Sequence, residues 1–196
     1  SINQDAYLAF GAITSRFLKA DFSCVGFSGK GVYRNFDKSE EETLPKIYSM
    51  LYPNEGLEKE YDFSFNPHLI VIKIGTNDFG AEMGDFPDMT DSSRFVTTYL
   101  KFLQFVTQKN PQAKIVLAVG GGLTDYYPQG LQRLSRYTSW VKSVLQKAEK
   151  NYSNTFGFFE FQPQNPPYGE DWHPTVLSQQ KFANEIIPYL REFMGW

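Results

Sequence analysis

The sequence predicts an α/β fold in which a parallel sheet is covered by helices on both sides. Three observations carry this prediction. Four short runs, Phe22–Phe27, His68–Ile74, Lys114–Val119 and Thr155–Phe161, are apolar at most positions, as strands buried on both faces are. Stretches with apolar residues three and four apart precede the first run, separate the last three and follow the fourth, the spacing of one helix face. Each run also closes in a turn: Ser28-Gly29-Lys30-Gly31, Gly75-Thr76-Asn77-Asp78, Gly120-Gly121-Gly122, and a loop holding Pro163, Pro166 and Pro167. Buried strands alternating with amphipathic helices give three layers, α/β/α.

The elements follow in order. From Gln4 to Ala20, a helix face is marked by Ala6, Phe10, Ile13, Phe17 and Leu18. After the first strand, Tyr33–Asn66 is charged and irregular, with Glu40, Glu41 and Glu42 in a row, and reads as a solvated insertion. Asp91 or Ser92 can cap a helix along Phe95, Val96, Tyr99, Leu103 and Val106, stopped by Asn110-Pro111. Leu131–Lys150 repeats the pattern through Leu134, Val141, Val144, Leu145 and Ala148. Val176–Phe193 does so through Phe182, Ala183, Ile186, Leu190 and Phe193, with Pro188 expected to kink or divide it. Phe10, Phe17, Phe95 and Phe182 fall on helix faces and read as core.

Composition narrows the function. The chain has 196 residues, 19 Lys+Arg and 22 Asp+Glu, for a net charge of −3, the size of one domain. Hydrophobic residues at 41% and charged residues at 21% exclude an intrinsically disordered chain. A pI near 5.4 leaves no electrostatic footprint for nucleic acid or an anionic membrane. The single cysteine excludes an internal disulfide, and no His and Cys spacing reads as a zinc site. The best apolar stretch, Leu69–Ile74, is far short of a membrane span and carries Lys73. The first residues lack the basic-then-apolar order of a signal peptide.

Polar turns after the strands direct attention to the C-terminal edge of the sheet, where open parallel sheets bind ligands. Gly26-Phe27-Ser28-Gly29-Lys30-Gly31 fails as a phosphate loop, since two residues rather than four precede the Gly-Lys pair. It fails as a dinucleotide fingerprint because Arg34 replaces the third glycine, and as a nucleophile elbow because Lys30 replaces the last. What remains is a turn whose backbone N–H groups can face a ligand. Asn77 can donate to a developing oxyanion, although an Asn-Asp pair also serves as a simple turn or helix cap. Asp171-Trp172-His173-Pro174 joins one of two histidines to a carboxylate two residues earlier, with Glu170 three earlier. A nearby carboxylate can fix an imidazole for general-base work. His68 and Cys24 read as structural.

Together, Ser-Gly, Gly-Thr-Asn-Asp and Asp-Trp-His-Pro, in that order, resemble the SGNH/GDSL hydrolase superfamily. Asp5-Ala6-Tyr7-Leu8-Ala9-Phe10-Gly11 and Ser28-Gly29-Lys30-Gly31-Val32-Tyr33-Arg34-Asn35 resemble carbohydrate esterase family two. That resemblance implies a serine esterase that removes O-acetyl groups from plant polysaccharides such as xylan and glucomannan. It implies an acetylated polysaccharide or oligosaccharide as substrate, no cofactor or metal, and a secreted or cell-surface address. It makes His173 the general base, Asp171 its orienting acid, and the Gly29 N–H with the Asn77 amide part of the oxyanion hole. The wider superfamily places the acid where Glu170 stands, and some family-two members manage without one. Trp172, Tyr126, Tyr127 and Tyr168, in loops at the same edge, become candidate platforms for sugar rings.

The superfamily's Gly-Asp-Ser block, which carries the nucleophile on strand one, occurs nowhere in the chain. The superfamily's flavodoxin-like sheet puts that strand between the runs at Phe22 and His68. The expectation is an SGNH hydrolase domain over residues 1–196 that is incomplete at its N-terminus, with strand one supplied by sequence not shown; the resemblance also implies an upstream β-sandwich domain. Two alternatives stand: a catalytically dead carbohydrate-binding or scaffold protein of the same fold, and a nucleophile at Ser28.

Overall fold

The computed structural model describes residues 5–52, 57–83 and 87–196. Three parallel strands, β3 (Leu69–Ile72), β4 (Lys114–Gly120) and β5 (Phe156–Phe161), form a sheet in the order β3-β4-β5. Leu69 pairs with Lys114, and Ile115 with Phe156. Strand β4 is central, and its alternating side chains divide the core. Ile115, Leu117 and Val119 pack on the side of α3 (Ser92–Lys109) and α4 (Arg133–Asn151), among Phe95, Tyr99, Leu103, Tyr137 and Val141. Val116 and Ala118 face the other way, against Phe182, Ile186 and Leu190 of α5 (Val176–Met194), with α1 (Phe10–Leu18) beside that helix. Period-two alternation on a strand buried from both sides thus produces the three layers.

Local chemistry sets the helix ends. The Asp91 carboxylate accepts the Arg94 N–H at 3.0 Å, capping α3, and Thr175 Oγ1 accepts the Ser178 N–H at 3.3 Å to open α5. Helix α4 has no cap of its own. Asp125, from the loop before it, accepts the Ser135 N–H at 2.9 Å, satisfying a donor that the first turn leaves free.

The structure revises several expectations. Phe22–Phe27 forms no ladder among the described residues, and Phe22 and Val25 are about half exposed. Strand-forming residues become a strand only when a neighbour takes their N–H and C=O groups, and among the described residues none does. Cys24 is exposed for the same reason. Phe17 is 62% exposed rather than core, because only one flank of α1 meets α5. Helix α5 runs through Pro188 as one element. Finally, Tyr33–Asn66 is only partly solvated. It forms α2 (Leu44–Ile47), and a hairpin of β1 (Met50–Tyr52) and β2 (Leu57–Glu60). Tyr33, Leu44 and Ile47 are buried, and Tyr48 packs edge-on against Phe102 of α3.

Candidate active site

The turns after Phe27 and after β3 are far apart in sequence, and the structure holds them together through side chains of one short 3₁₀ helix, Asn77–Glu82. At its start, Asn77 Nδ2 donates to the Lys30 carbonyl at 2.9 Å. One residue on, the buried Asp78 carboxylate accepts three consecutive backbone N–H groups, from Val32 at 2.7 Å, Tyr33 at 2.9 Å and Arg34 at 3.1 Å. Burial pushes the Asp78 carboxyl up to about 6, against the pull of those donors. Gly31 makes the approach possible: a Cβ there would overlap the Arg34 carbonyl and stand 2.6 Å from Asp78 Oδ2. The buried Arg34 guanidinium closes the other side, donating to the Asp78 carbonyl at 2.9 Å, Thr90 Oγ1 at 3.1 Å and the Asp88 carboxylate at 3.0 Å.

This clamp leaves donors to spare. Gly29 adopts φ +76°, in the left-handed region glycine enters freely, and a Cβ there would meet nothing within 4 Å. Its carbonyl accepts the Phe36 N–H at 2.8 Å, while its own N–H has no partner among the described residues. Asn77 likewise has a second amide hydrogen without a partner there. The far end of the 3₁₀ helix is fixed by Glu82, which is fully buried. Its oxygens accept from Arg136 at 2.8 Å each and from the Thr90 N–H at 2.8 Å. Burial pushes Glu82 up, but these hydrogen bonds outweigh it and hold the carboxyl below its ordinary value.

His173 lies in the loop between β5 and α5, just after a single 3₁₀ turn at Glu170–Trp172. Its Nδ1 is 2.9 Å from the Glu170 backbone carbonyl. A carbonyl only accepts, so Nδ1 carries the proton and neutral His173 presents the lone pair of Nε2. The contact that orients the ring is thus a main-chain oxygen. Asp171 is exposed, and its carboxylate makes no hydrogen bond among the described residues. Asp171 and Trp172 both have positive φ, 50° and 58°, a conformation costing about 1–3 kcal/mol per non-glycine residue unless its surroundings enforce it. Gln164 belongs to those surroundings: its Nε2 donates to the Trp172 carbonyl at 2.6 Å, and its backbone N–H to the Gly121 carbonyl at 3.0 Å.

Trp172, Tyr126, Tyr127 and Tyr168 are all exposed, at 75%, 87%, 65% and 42%, in loops that follow β4 and β5. Ser28 is exposed as well. The sequence nominates Asn77, Gly29 and His173 but gives no role to Asp78, Glu82, Arg136 or Gln164. The adjacency of Asp78 to Asn77 was the one available signal. The others act on partners 8 to 54 residues away, which spacing does not reveal.

Loops at the C-terminal edge of this α/β/α sheet thus hold a histidine with its Nε2 open and N–H donors without partners among the described residues, groups of the kind that acyl-transfer chemistry uses. The chain belongs to the GDSL-like lipase/acylhydrolase family, whose pattern it matches over residues 4–181. Among curated relatives it is 30% identical over 197 residues to the cellulase/esterase CelE of Acetivibrio thermocellus, covering 99% of this chain and 22% of that one. It is 27% identical to an acetylxylan esterase/glucomannan deacetylase of Cellvibrio japonicus, over 96% of this chain and 49% of that protein. The chain therefore spans half the length of these relatives or less. A solved family-two carbohydrate esterase from Clostridium thermocellum, in complex with cellohexaose, superposes with a TM-score of 0.86 at 29% identity. That match covers 100% of this chain and 57% of that one.

Proposed function

We propose that this chain carries the base and oxyanion donors of a carbohydrate esterase that removes O-acetyl groups from polysaccharide. The observation that carries the reading is the clamp of Asn77 on the Lys30 carbonyl, which leaves an amide hydrogen and the Gly29 N–H free at one edge. Free, fixed donors at a sheet edge suit the negative charge of a tetrahedral acyl intermediate. The names of the relatives supply the substrate class.

In this mechanism His173 Nε2 takes the proton of an attacking serine hydroxyl as the new O–C bond forms at the acetyl carbonyl. The oxyanion is held by the Gly29 N–H and Asn77. Collapse breaks the ester bond, and His173 returns the proton to the departing sugar oxygen. Water, deprotonated by the same nitrogen, then releases acetate and regenerates the serine. Among the described residues no serine is bonded to the His173 ring. The proposal places the serine on a segment pairing with the free edge of β3, between that strand and the unpaired Phe22–Phe27.

The test is hydrolysis of an aryl acetate and of acetylated xylan by the full-length protein and its Asn77→Ala variant. Loss of one oxyanion donor lowers turnover by about 10²–10³. Equal rates would remove Asn77 from the mechanism. Binding of xylan with no acetate release by the parent protein would replace the esterase reading with a binding-only one.

A further inference from the structure

Gln164 stands outside every role assigned so far, yet it occupies an unusual position. Its backbone is fastened to the sheet, because its N–H donates to the carbonyl of Gly121, directly after β4. Its side chain reaches across to the loop of His173 and donates to the Trp172 carbonyl at 2.6 Å. Its other amide atom, Oε1, is buried and has no partner among the described residues. Flipping the amide would set Oε1 against the Trp172 carbonyl, two acceptors facing each other, so the donor must point this way. A buried acceptor left unpaired calls for an explanation.

The explanation lies in what the Trp172 carbonyl supports. Among the described residues His173 is held by its own loop: Nδ1 and the backbone N–H both go to the Glu170 carbonyl, each at 2.9 Å, and the His173 carbonyl accepts the Gly169 N–H at 2.8 Å. The two residues between Glu170 and His173 both hold left-handed backbone. A turn of that kind, left to itself, relaxes and carries the Glu170 carbonyl away from the imidazole. Gln164 contributes a side-chain hydrogen bond that ties this turn to the start of the loop after β5.

We propose that Gln164 is a positioning residue for His173: by holding the Trp172 carbonyl it keeps the Glu170 carbonyl on Nδ1 and so fixes the tautomer that exposes Nε2. The proposal rests on the reading of His173 as the general base, but its primary readout does not need activity. The chain has only two histidines, and His68 sits at the start of β3, at the opposite end of the sheet from the His173 loop.

The experiment records imidazole nitrogen shifts of ¹⁵N-histidine protein above the histidine pKa, in the parent chain and in Gln164→Leu and Gln164→Glu. The glutamate keeps the size of the side chain but has no N–H. In the parent, neutral His173 is held as the Nδ1–H form. Both variants shift it toward the Nε2–H form, while His68 signals and the thermal midpoint remain those of the folded protein. In the full-length esterase the same variants lower kcat by about 10–10²-fold, within the span of a general base, and leave KM unchanged. Retention of the Nδ1–H form in either folded variant overturns the proposal, as does loss of it only together with the His68 signals. If the full-length protein releases no acetate while the tautomer shifts as stated, the esterase reading fails and the role of Gln164 stands.

Discussion

Replacing Arg136 by methionine removes one half of the Glu82–Arg136 pair, and the structure sets the size of the effect. Glu82 has no exposed surface, and Arg136 has 22% of its side chain exposed. The methionine side chain preserves contact with Phe79 and Trp140, whose rings lie 5.3 and 5.1 Å from the guanidinium carbon. What is lost is both charged hydrogen bonds, leaving a buried carboxylate with only neutral donors of Thr90. Breaking such a pair costs about 3–5 kcal/mol, against a total stability of about 5–15 kcal/mol for a domain. At about 2–4 °C per kcal/mol for a chain of this size, the thermal midpoint falls by roughly 6–20 °C. The pH dependence has a definite sign. In the parent, Glu82 is held below its ordinary value, so its stabilisation is present above the unfolded glutamate pKa, about 4.3, and disappears as pH falls through the lower folded value. In Arg136→Met, the guanidinium that offsets burial most directly is gone, the folded pKa rises, and the deficit shrinks on acidification. The assay is urea unfolding from pH 7 to pH 4, comparing midpoints at constant slope. Glu82→Leu/Arg136→Met removes both charges and leaves a smaller deficit than Arg136→Met alone, because only the Thr90 N–H is then unpaired. A parent-like midpoint for Arg136→Met at pH 7 would refute the reasoning.

Lys73 gives the opposite case. Burial lowers its pKa to about 8, and no hydrogen bond or ion pair to its ammonium exists among the described residues, so Lys73→Met raises stability near pH 7 by about 1–3 kcal/mol. Because the parent loses its proton between about 8 and the unfolded value near 10.4, the gain fades across that interval, which unfolding curves at pH 7 and pH 10 would show. Gly31→Ala drives a methyl into the Arg34 carbonyl and Asp78 Oδ2; it destabilises by more than the usual 0.5–3 kcal/mol, roughly, and unprotects the Val32 and Tyr33 amides in hydrogen exchange. Trp172→Ala leaves the thermal midpoint unchanged, since the side chain is 75% exposed, and weakens binding of xylo-oligosaccharides measured by calorimetry. Unchanged affinity would show that this ring is not a sugar platform.

What was legible in the sequence was whatever repeats or ends abruptly. The strand at Lys114–Val119 and the helices around Phe95 and Phe182 announce themselves by period, because a residue's face depends only on its position along its own element. The failures share the opposite property. Among the described residues Phe22–Phe27 has the composition of a strand but no ladder partner, and Phe17 has the spacing of a core residue but is 62% exposed; in both, the deciding group belongs to another part of the molecule. The site divides along the same line. Gly29, Asn77 and His173 were nominated because each sits where a predicted element stops. Asp78, Glu82, Arg136 and Gln164 were not, because each serves a backbone atom or charge from 8 to 54 residues away. His173 shows why this distinction matters for chemistry. Sequence proximity points to the Asp171 carboxylate as its support, whereas backbone geometry puts the Glu170 carbonyl on Nδ1. A left-handed turn can place a main-chain oxygen where spacing suggests a side chain. A neutral carbonyl fixes the tautomer as a carboxylate would, but stabilises the imidazolium less, since it contributes a dipole instead of a charge. In the proposed mechanism His173 therefore depends more heavily on the rigidity of its loop, which is the property proposed for Gln164.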